Sequence, residues 1–175
     1  MVSIRGPVRS LAPDDARAAI SELYRLHWAG LVRLAVLMVD ERPAAEDAVQ
    51  EAFTDLYRHW PLRDNDKALG WLRTTVVNRC RSVLRRRRVA RLYTPPPEEP
   101  NASAESSAML GEDRLQVRRA LQALPRRTRE VLVLRYYLDL PFAEIAETLG
   151  ISQSSARSTS SRGIAILTEK LKELR

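Results

Sequence analysis

The chain has 175 residues, enough for one ordinary domain or two small ones. Lysines and arginines outnumber acids 29 to 22, giving a net charge of +7 and a pI near 10.2, which suits a polyanionic partner. A single cysteine, Cys80, excludes an internal disulfide and, with only His27 and His59 for company, a zinc site of the usual Cys/His kind. No run of about 18 apolar residues offers a membrane span, and the N-terminus lacks the apolar region of a signal peptide, so a reducing cytoplasm is the expected location.

Residues 1–15 carry no period and are expected to form a disordered tail, with Asp14 a candidate cap for the helix that follows. Ile20, Leu23, Tyr24, His27, Leu31, Leu34 and Met38 then recur at helical spacing to about Val39, with His27 expected as a satisfied core histidine. Asp40–Pro43 is a turn, Pro43 suiting a first helical position. The next helix is expected over Ala44–Trp60, with Ala45, Ala48, Val49, Ala52, Phe53, Leu56 and Trp60 inward. Its other face carries Asp47, Gln50 and Glu51, and Asp40 to Asp55 holds six acids and one arginine. Such a stripe is usually a solvated surface; in a basic chain it also reads as a docking face for a basic partner, and acids there would repel phosphate.

Pro61–Lys67 is a polar loop, with Asp66 a candidate cap for the helix over Leu69–Arg91. Leu69, Leu72, Val76, Cys80 and Val83 form that helix's apolar stripe; Trp71, Thr74, Thr75, Asn78, Ser82 and Arg85 lie opposite. From Trp71 to Leu92 there are eight arginines and no acid. Arginines near a helix end favour the macrodipole, and a lone tryptophan is commonly covered by a neighbouring helix. Together, an indole for stacking and guanidinium groups for phosphates point to nucleic acid.

Tyr93–Asp113 breaks the pattern with four prolines, five acids and no basic residue, marking a flexible linker over about 93–112 between two domains. Helices are expected again over Arg114–Leu124 and Arg126–Tyr137, with a turn at Asp139–Pro141. Phe142, Ile145, Ala146 and Leu149 make a two-turn helix that Gly150 can end in the left-handed conformation, and Ser152 caps the next helix. That last helix buries Ala156, Ser160, Gly163, Leu167 and Leu174 and exposes Ser154, Arg157, Ser158, Ser161 and Arg162. A short helix, a tight glycine turn and a longer helix with small and basic exposed residues follow helix-turn-helix grammar; short hydrogen-bonding side chains and arginines suit a DNA groove.

Three stretches in this order resemble the extracytoplasmic-function sigma factors, the small two-domain initiation subunits of bacterial RNA polymerase, and most closely their actinobacterial type. They are Ala45-Glu-Asp-Ala-Val-Gln-Glu-Ala-Phe53, then Gly70-Trp-Leu-Arg-Thr-Thr-Val-Val-Asn-Arg79 with the arginine run, and Leu124-Pro-Arg-Arg-Thr-Arg-Glu-Val-Leu132 followed by Glu144-Ile-Ala146 and Leu149-Gly-Ile-Ser152. The resemblance covers about Ile20–Leu174. It implies an all-α protein with one domain over 16–92 and another over 113–175, without catalytic activity, metal or cofactor. It implies that Asp47, Gln50 and Glu51 bind the clamp helices of the largest polymerase subunit, with the polymerase flap a further contact. Asp64, Asn65, Trp71, Asn78, Arg81 and Arg85 would recognise and open the minus-ten promoter element, and Ser154, Arg157, Ser158, Ser161 and Arg162 would read the minus-thirty-five element. An anti-sigma factor is an expected partner on the same ground. Pro141 stands where the family often has a capping serine or threonine, and Thr159 and Ser160 where larger or basic residues are common. Two other classes stay open: a stand-alone helix-turn-helix regulator, which leaves the acidic face and Trp71 without a role, and a nucleic-acid enzyme, which needs carboxylates clustered in a pocket rather than on one convex helix face.

Overall fold

The computed structural model describes residues 13–62, 64–93 and 112–173, and among them the structure is helical, with no strand. In the first domain α1 spans Pro13–Val39, α2 Arg42–His59 and α3 Ala68–Tyr93, a 3-10 turn over Asn65–Lys67 leading into α3. In the second, α4 spans Glu112–Gln122 and α5 Arg126–Leu132; α5 runs on through a π-helical segment, Val133–Tyr137, before α6 (Phe142–Leu149) and α7 (Gln153–Glu173). The expected tail up to residue 12 and most of the expected linker, 94–111, lie outside the described residues, as does Leu174.

Periodicity explains the first domain. On α2, Ala45, Ala48, Val49, Ala52, Phe53 and Leu56 are buried, and three alanines in that row let α2 lie close to its neighbours. They meet Leu31, Leu34, Ala35 and Met38 of α1 and Leu72, Val76, Val77 and Cys80 of α3. Burying each leucine fully contributes about 1.5–3 kcal/mol. Cys80 behaves as a small hydrophobe, and burial pushes its thiol up to about 12. His27 is half-buried, while Tyr24 stacks on Trp28 with ring centroids 4.6 Å apart and meets Phe53 edge-on.

Several local details differ from expectation, each for a readable reason. Asp14 lies inside α1 rather than ahead of it. α2 starts at Arg42, and Pro43 sits in its first turn, where a missing N–H goes unnoticed. α2 stops at His59, and Trp60 is its C-cap with extended backbone, because a residue before proline is pushed out of the helical region. Trp60 is half-buried against the core, and its indole N–H is buried without a partner. The cap before α3 is Asp64, not Asp66: the carboxylate of Asp64 accepts from the Asp66 backbone N–H at 3.2 Å, since the chain begins to coil one turn earlier, at Asn65. Asp40 leaves α1 with φ 64°, a conformation that aspartate tolerates better than most residues.

In the second domain Pro125 precedes α5, and its carbonyl accepts from Arg129 N. Within the π-helical segment the carbonyl of Val133 accepts from Leu138 N at 3.4 Å, one residue beyond the α-helical partner. α6 ends at Gly150, φ 63°, where Ile151 N reaches back to Ala146 O at 3.0 Å and Gly150 N to Glu147 O. Ser152 Oγ then accepts from Ser155 N at 3.1 Å and starts α7. α7 buries Ala156, Ser160 and Gly163, the last of them against α5.

Gly163 is there for closeness: a Cβ would lie 2.6 Å from the Thr128 methyl carbon and 3.2 Å from both Leu132 methyl carbons. Overpacking of that kind typically costs about 1–3 kcal/mol, against about 1 kcal/mol gained in helix propensity. Gly163→Ala is therefore expected to lower the melting temperature. Gly30→Ala, in a helix where nothing lies within 4 Å of the new methyl, is expected to raise it. Thermal melts of the two variants should move in opposite directions.

Candidate nucleic-acid interface

α7 presents Ser154, Arg157, Ser158, Ser161 and Arg162 together on its exposed side, opposite the buried row that holds it to α5. Ser152 Oγ lies 3.0 Å from the Ser154 hydroxyl and 2.8 Å from that of Ser155, tying the start of the helix into one small polar cluster. The Arg157 guanidinium lies over the Phe142 ring, 5.1 Å from its centroid, and Arg135 shares the same ring at 5.2 Å. Arg162 Nε donates to Ser158 O at 3.3 Å. Sequence reasoning gave Phe142 a core role only; its half-burial leaves a face on which Arg157 is held. Ser160, at one of the departures from the family pattern, is buried and so unavailable to a ligand, while Thr159 is half-buried. Pro141 precedes α6 without a side-chain cap, its carbonyl accepting from Ile145 N.

The second basic surface belongs to α3. Asp64 both caps the 3-10 turn and lies 3.4 Å from Lys67, and Asn65 is exposed beside it. Trp71 is half-buried: it packs against the first-domain core and tilts against the His59 ring at 6.0 Å. Trp71, Asn78 and Arg85 follow at seven-residue steps, two turns each, so they share one side of the helix over about 21 Å. Asn78 and Arg85 are exposed. Arg81 is engaged: its Nη1 donates to Asn78 Oδ1 at 3.2 Å, and its Nε and Nη2 donate to the two carboxylate oxygens of Glu130, each at 2.8 Å. That bidentate bond raises the Arg81 guanidinium above its ordinary value. The arginine run divides. Arg85, Arg86 and Arg88 are exposed, whereas Arg87 turns back to donate to Val39 O and pair with Glu41.

Asp47, Gln50 and Glu51 stand together on the exposed side of α2, beside a groove lined by Ala44, Asp47, Glu51, Arg79, Val83 and Arg86. Glu51 is bound across that groove by Arg79 at 2.9 Å, and Arg79 also pairs with Asp55, whose hydrogen bond is the main reason its guanidinium is raised. Sequence reasoning missed Arg79 and Asp55 as the pair that fixes Glu51; an arginine facing an acid 24 to 28 residues earlier carries no local signal. Among the described residues no group of three His, Cys, Asp or Glu side chains could hold a metal ion, and no helix is long and apolar enough to cross a membrane.

Comparison with known proteins fits this layout. Residues 23–89 match the Sigma-70 region 2 family and residues 114–167 the Sigma-70 region 4 family. The chain is 30% identical to the RNA polymerase sigma-E factor of Streptomyces avermitilis, over 86% of this chain and 83% of that one. It is 32% identical to the ECF RNA polymerase sigma factor SigM of Mycobacterium tuberculosis, over 89% and 78%. Among solved structures, the sigma factor RpoE of Bartonella quintana, crystallised with the anti-sigma factor NepR, superposes with a TM-score of 0.69 at 21% identity over 89% of this chain and 98% of that one, a likeness of fold. Two helical domains matching sigma regions 2 and 4 define a promoter-recognising transcription initiation factor, a class with no catalytic role of its own. The chain belongs to the extracytoplasmic-function family of RNA polymerase sigma factors.

Proposed function

We propose that this sigma factor joins core RNA polymerase through the α2 face of Asp47, Gln50 and Glu51, seated on the clamp helices of the largest subunit, with its second domain on the flap. Asp64, Asn65, Trp71, Asn78, Arg81 and Arg85 then recognise and open the minus-ten element, and α7 enters the major groove at minus-thirty-five. It acts in the cytoplasm on the nucleoid, and an anti-sigma factor of the kind crystallised with the Bartonella protein is an expected partner. The observation that carries the reading is the separation of sign: acids gather on the exposed side of α2, while arginines and short polar side chains gather on α3 and α7. Phosphate is repelled from the first and drawn to the others. Co-purification with core polymerase followed by run-off transcription tests it. Transcripts that depend on the added chain support it; tight binding to duplex DNA with no effect on polymerase would replace it with the stand-alone regulator.

Within α7 we propose different work for the two arginines: Arg157, which lies over Phe142, contacts a base edge, and Arg162, bonded to the Ser158 carbonyl one turn earlier, contacts a phosphate. Arg157→Ala is expected to cost roughly 1–3 kcal/mol and relax preference at one base of the minus-thirty-five element. Arg162→Ala is expected to weaken all sequences alike and lower the salt slope by about one. Titrations of holoenzyme on promoter variants at several salt concentrations check both; unaltered binding in both variants would remove α7 from the groove.

A further inference from the structure

Arginine is a long, flexible side chain, and it reads a base well only when its guanidinium is limited in where it can point. Two parallel bonds to one guanine fix a plane as well as a position. Arg157 is exposed in the second turn of α7, the part of a groove-entering helix that meets base edges. Among the described residues its guanidinium makes no hydrogen bond and no ion pair; what it touches is the Phe142 ring, 5.1 Å from the centroid. The ring does not swing freely. Phe142 opens α6 and is half-buried against the core. Arg135, in the π-helical segment that ends α5, lies over the same ring at 5.2 Å. Arg135 is itself tied: its Nη1 donates to Leu140 O at 2.9 Å and lies 3.6 Å from the Asp139 carboxylate. One ring therefore carries two cations, one kept in place by its other bonds and one whose donors stay open.

We infer that Phe142 is a positioning residue for base readout: it confines the Arg157 guanidinium, Arg135 confines Phe142, and the base preference of α7 is set in part by two side chains that touch no base. The inference rests on the reading of Arg157 as a base contact. Its physical logic is loss of freedom. An arginine that sweeps widely meets phosphates and several base edges alike, whereas one limited to a few rotamers gives up less freedom on binding and fits fewer alternatives. A cation on an aromatic face at an exposed site is favoured by a factor of about two to five, so the ring biases Arg157 without locking it. The fixed positive charge of Arg135 adds to this, since it disfavours the collapse of a like charge onto the turn that Arg135 occupies. The contact leaves every N–H of Arg157 free, because the ring engages the flat face of the guanidinium and the donors point outward from its edge.

The test presents holoenzyme, assembled with each full-length variant, with promoter fragments randomised across the minus-thirty-five element, and sequences the fragments that bind. Phe142→Leu keeps an apolar side chain without the aromatic face. It is expected to reduce preference by about two- to fivefold, at the same base position that Arg157→Ala affects and at no other. Phe142→Tyr keeps the face and is expected to give the wild-type profile. Phe142→Leu added to Arg157→Ala is expected to change nothing further, which a general loss of packing would not reproduce. Phe142→Met, unbranched and able to fill the same space, repeats the test if leucine lowers the melting temperature. A readout without DNA accompanies these: in the nuclear magnetic resonance spectrum of the free chain, Arg157 side-chain protons are expected upfield in wild type and Phe142→Tyr, and at ordinary positions in Phe142→Leu. An unaltered profile for folded Phe142→Leu, with a base lost in Arg157→Ala, overturns the positioning role and leaves Arg157 on its base. A Phe142→Leu loss that persists in the Arg157→Ala background also overturns it, since the ring then acts without Arg157. An unaltered profile for Arg157→Ala removes the base contact itself, and the inference falls with it.

Discussion

Replacing Trp71 by alanine is expected to slow open-complex formation by roughly ten- to a hundredfold, because bases pulled from a duplex lose their stacking partners and base–aromatic stacking is worth about 1–3 kcal/mol per base. The half-burial of Trp71 sharpens the design of the experiment. One part of the indole packs against the first-domain core and another remains accessible near His59. Alanine removes both, so some loss of thermal stability is expected alongside the kinetic defect. Trp71→Leu keeps apolar packing and gives up the flat ring, and is expected to retain most of the stability while still opening promoters slowly. Polymerase binding should change little in either variant, and a promoter already mismatched across the minus-ten region should recover much of the lost rate. A Trp71→Leu protein that opens duplex promoters at the wild-type rate would refute the role.

Reversing charge on α2, with Asp47→Lys and Glu51→Lys together, is expected to weaken assembly with core polymerase by about thirtyfold or more, the range in which breaking a close interfacial charge pair costs 2–5 kcal/mol. The fold should survive, since exposed substitutions usually change stability within about 0.5 kcal/mol. The two positions are not equivalent. Glu51 also holds Arg79, so its reversal sets two like charges across the groove, whereas Asp55 keeps its hold on Arg79 from the other side. Asp47→Lys alone therefore separates loss of docking from disturbance of the groove. Competition binding against wild-type sigma factor measures the effect, and equal affinity for the folded double variant would dismiss α2 as the docking face.

Periodicity along single helices was easy to read from the sequence, and relations between helices were not. The buried row of α2 from Ala45 to Leu56 follows from 3.6 residues per turn alone. The left-handed Gly150 and the Ser152 cap follow from residue types at one turn, where only nearby atoms decide. Pro61 also held the information that α2 must end before Trp60, a rule about one peptide neighbour that the apolar stripe outvoted. Arg81 is the opposite case. Resemblance alone set it among the minus-ten residues, and its neighbour in the structure, Glu130, lies in another domain with no spacing rule to connect them. Phe142 shows the same limit on a smaller scale: its apolar character gave its packing, while its service as a platform for Arg157 depends on how α6 meets α7.

The end of α1 has a consequence for the order in which the chain acquires its structure. A helix closes with carbonyl groups that its own backbone cannot satisfy. Here Val39 O is satisfied by Arg87, Leu37 O by Gln122 and Met38 O by Arg129, groups made 48, 85 and 91 residues later. As the chain emerges from the ribosome, α1 and α2 can pair early, but water must hold the last turn of α1 until the segment through Arg129 has been translated. Nearly three quarters of the chain must therefore be synthesised before its first helix is finished.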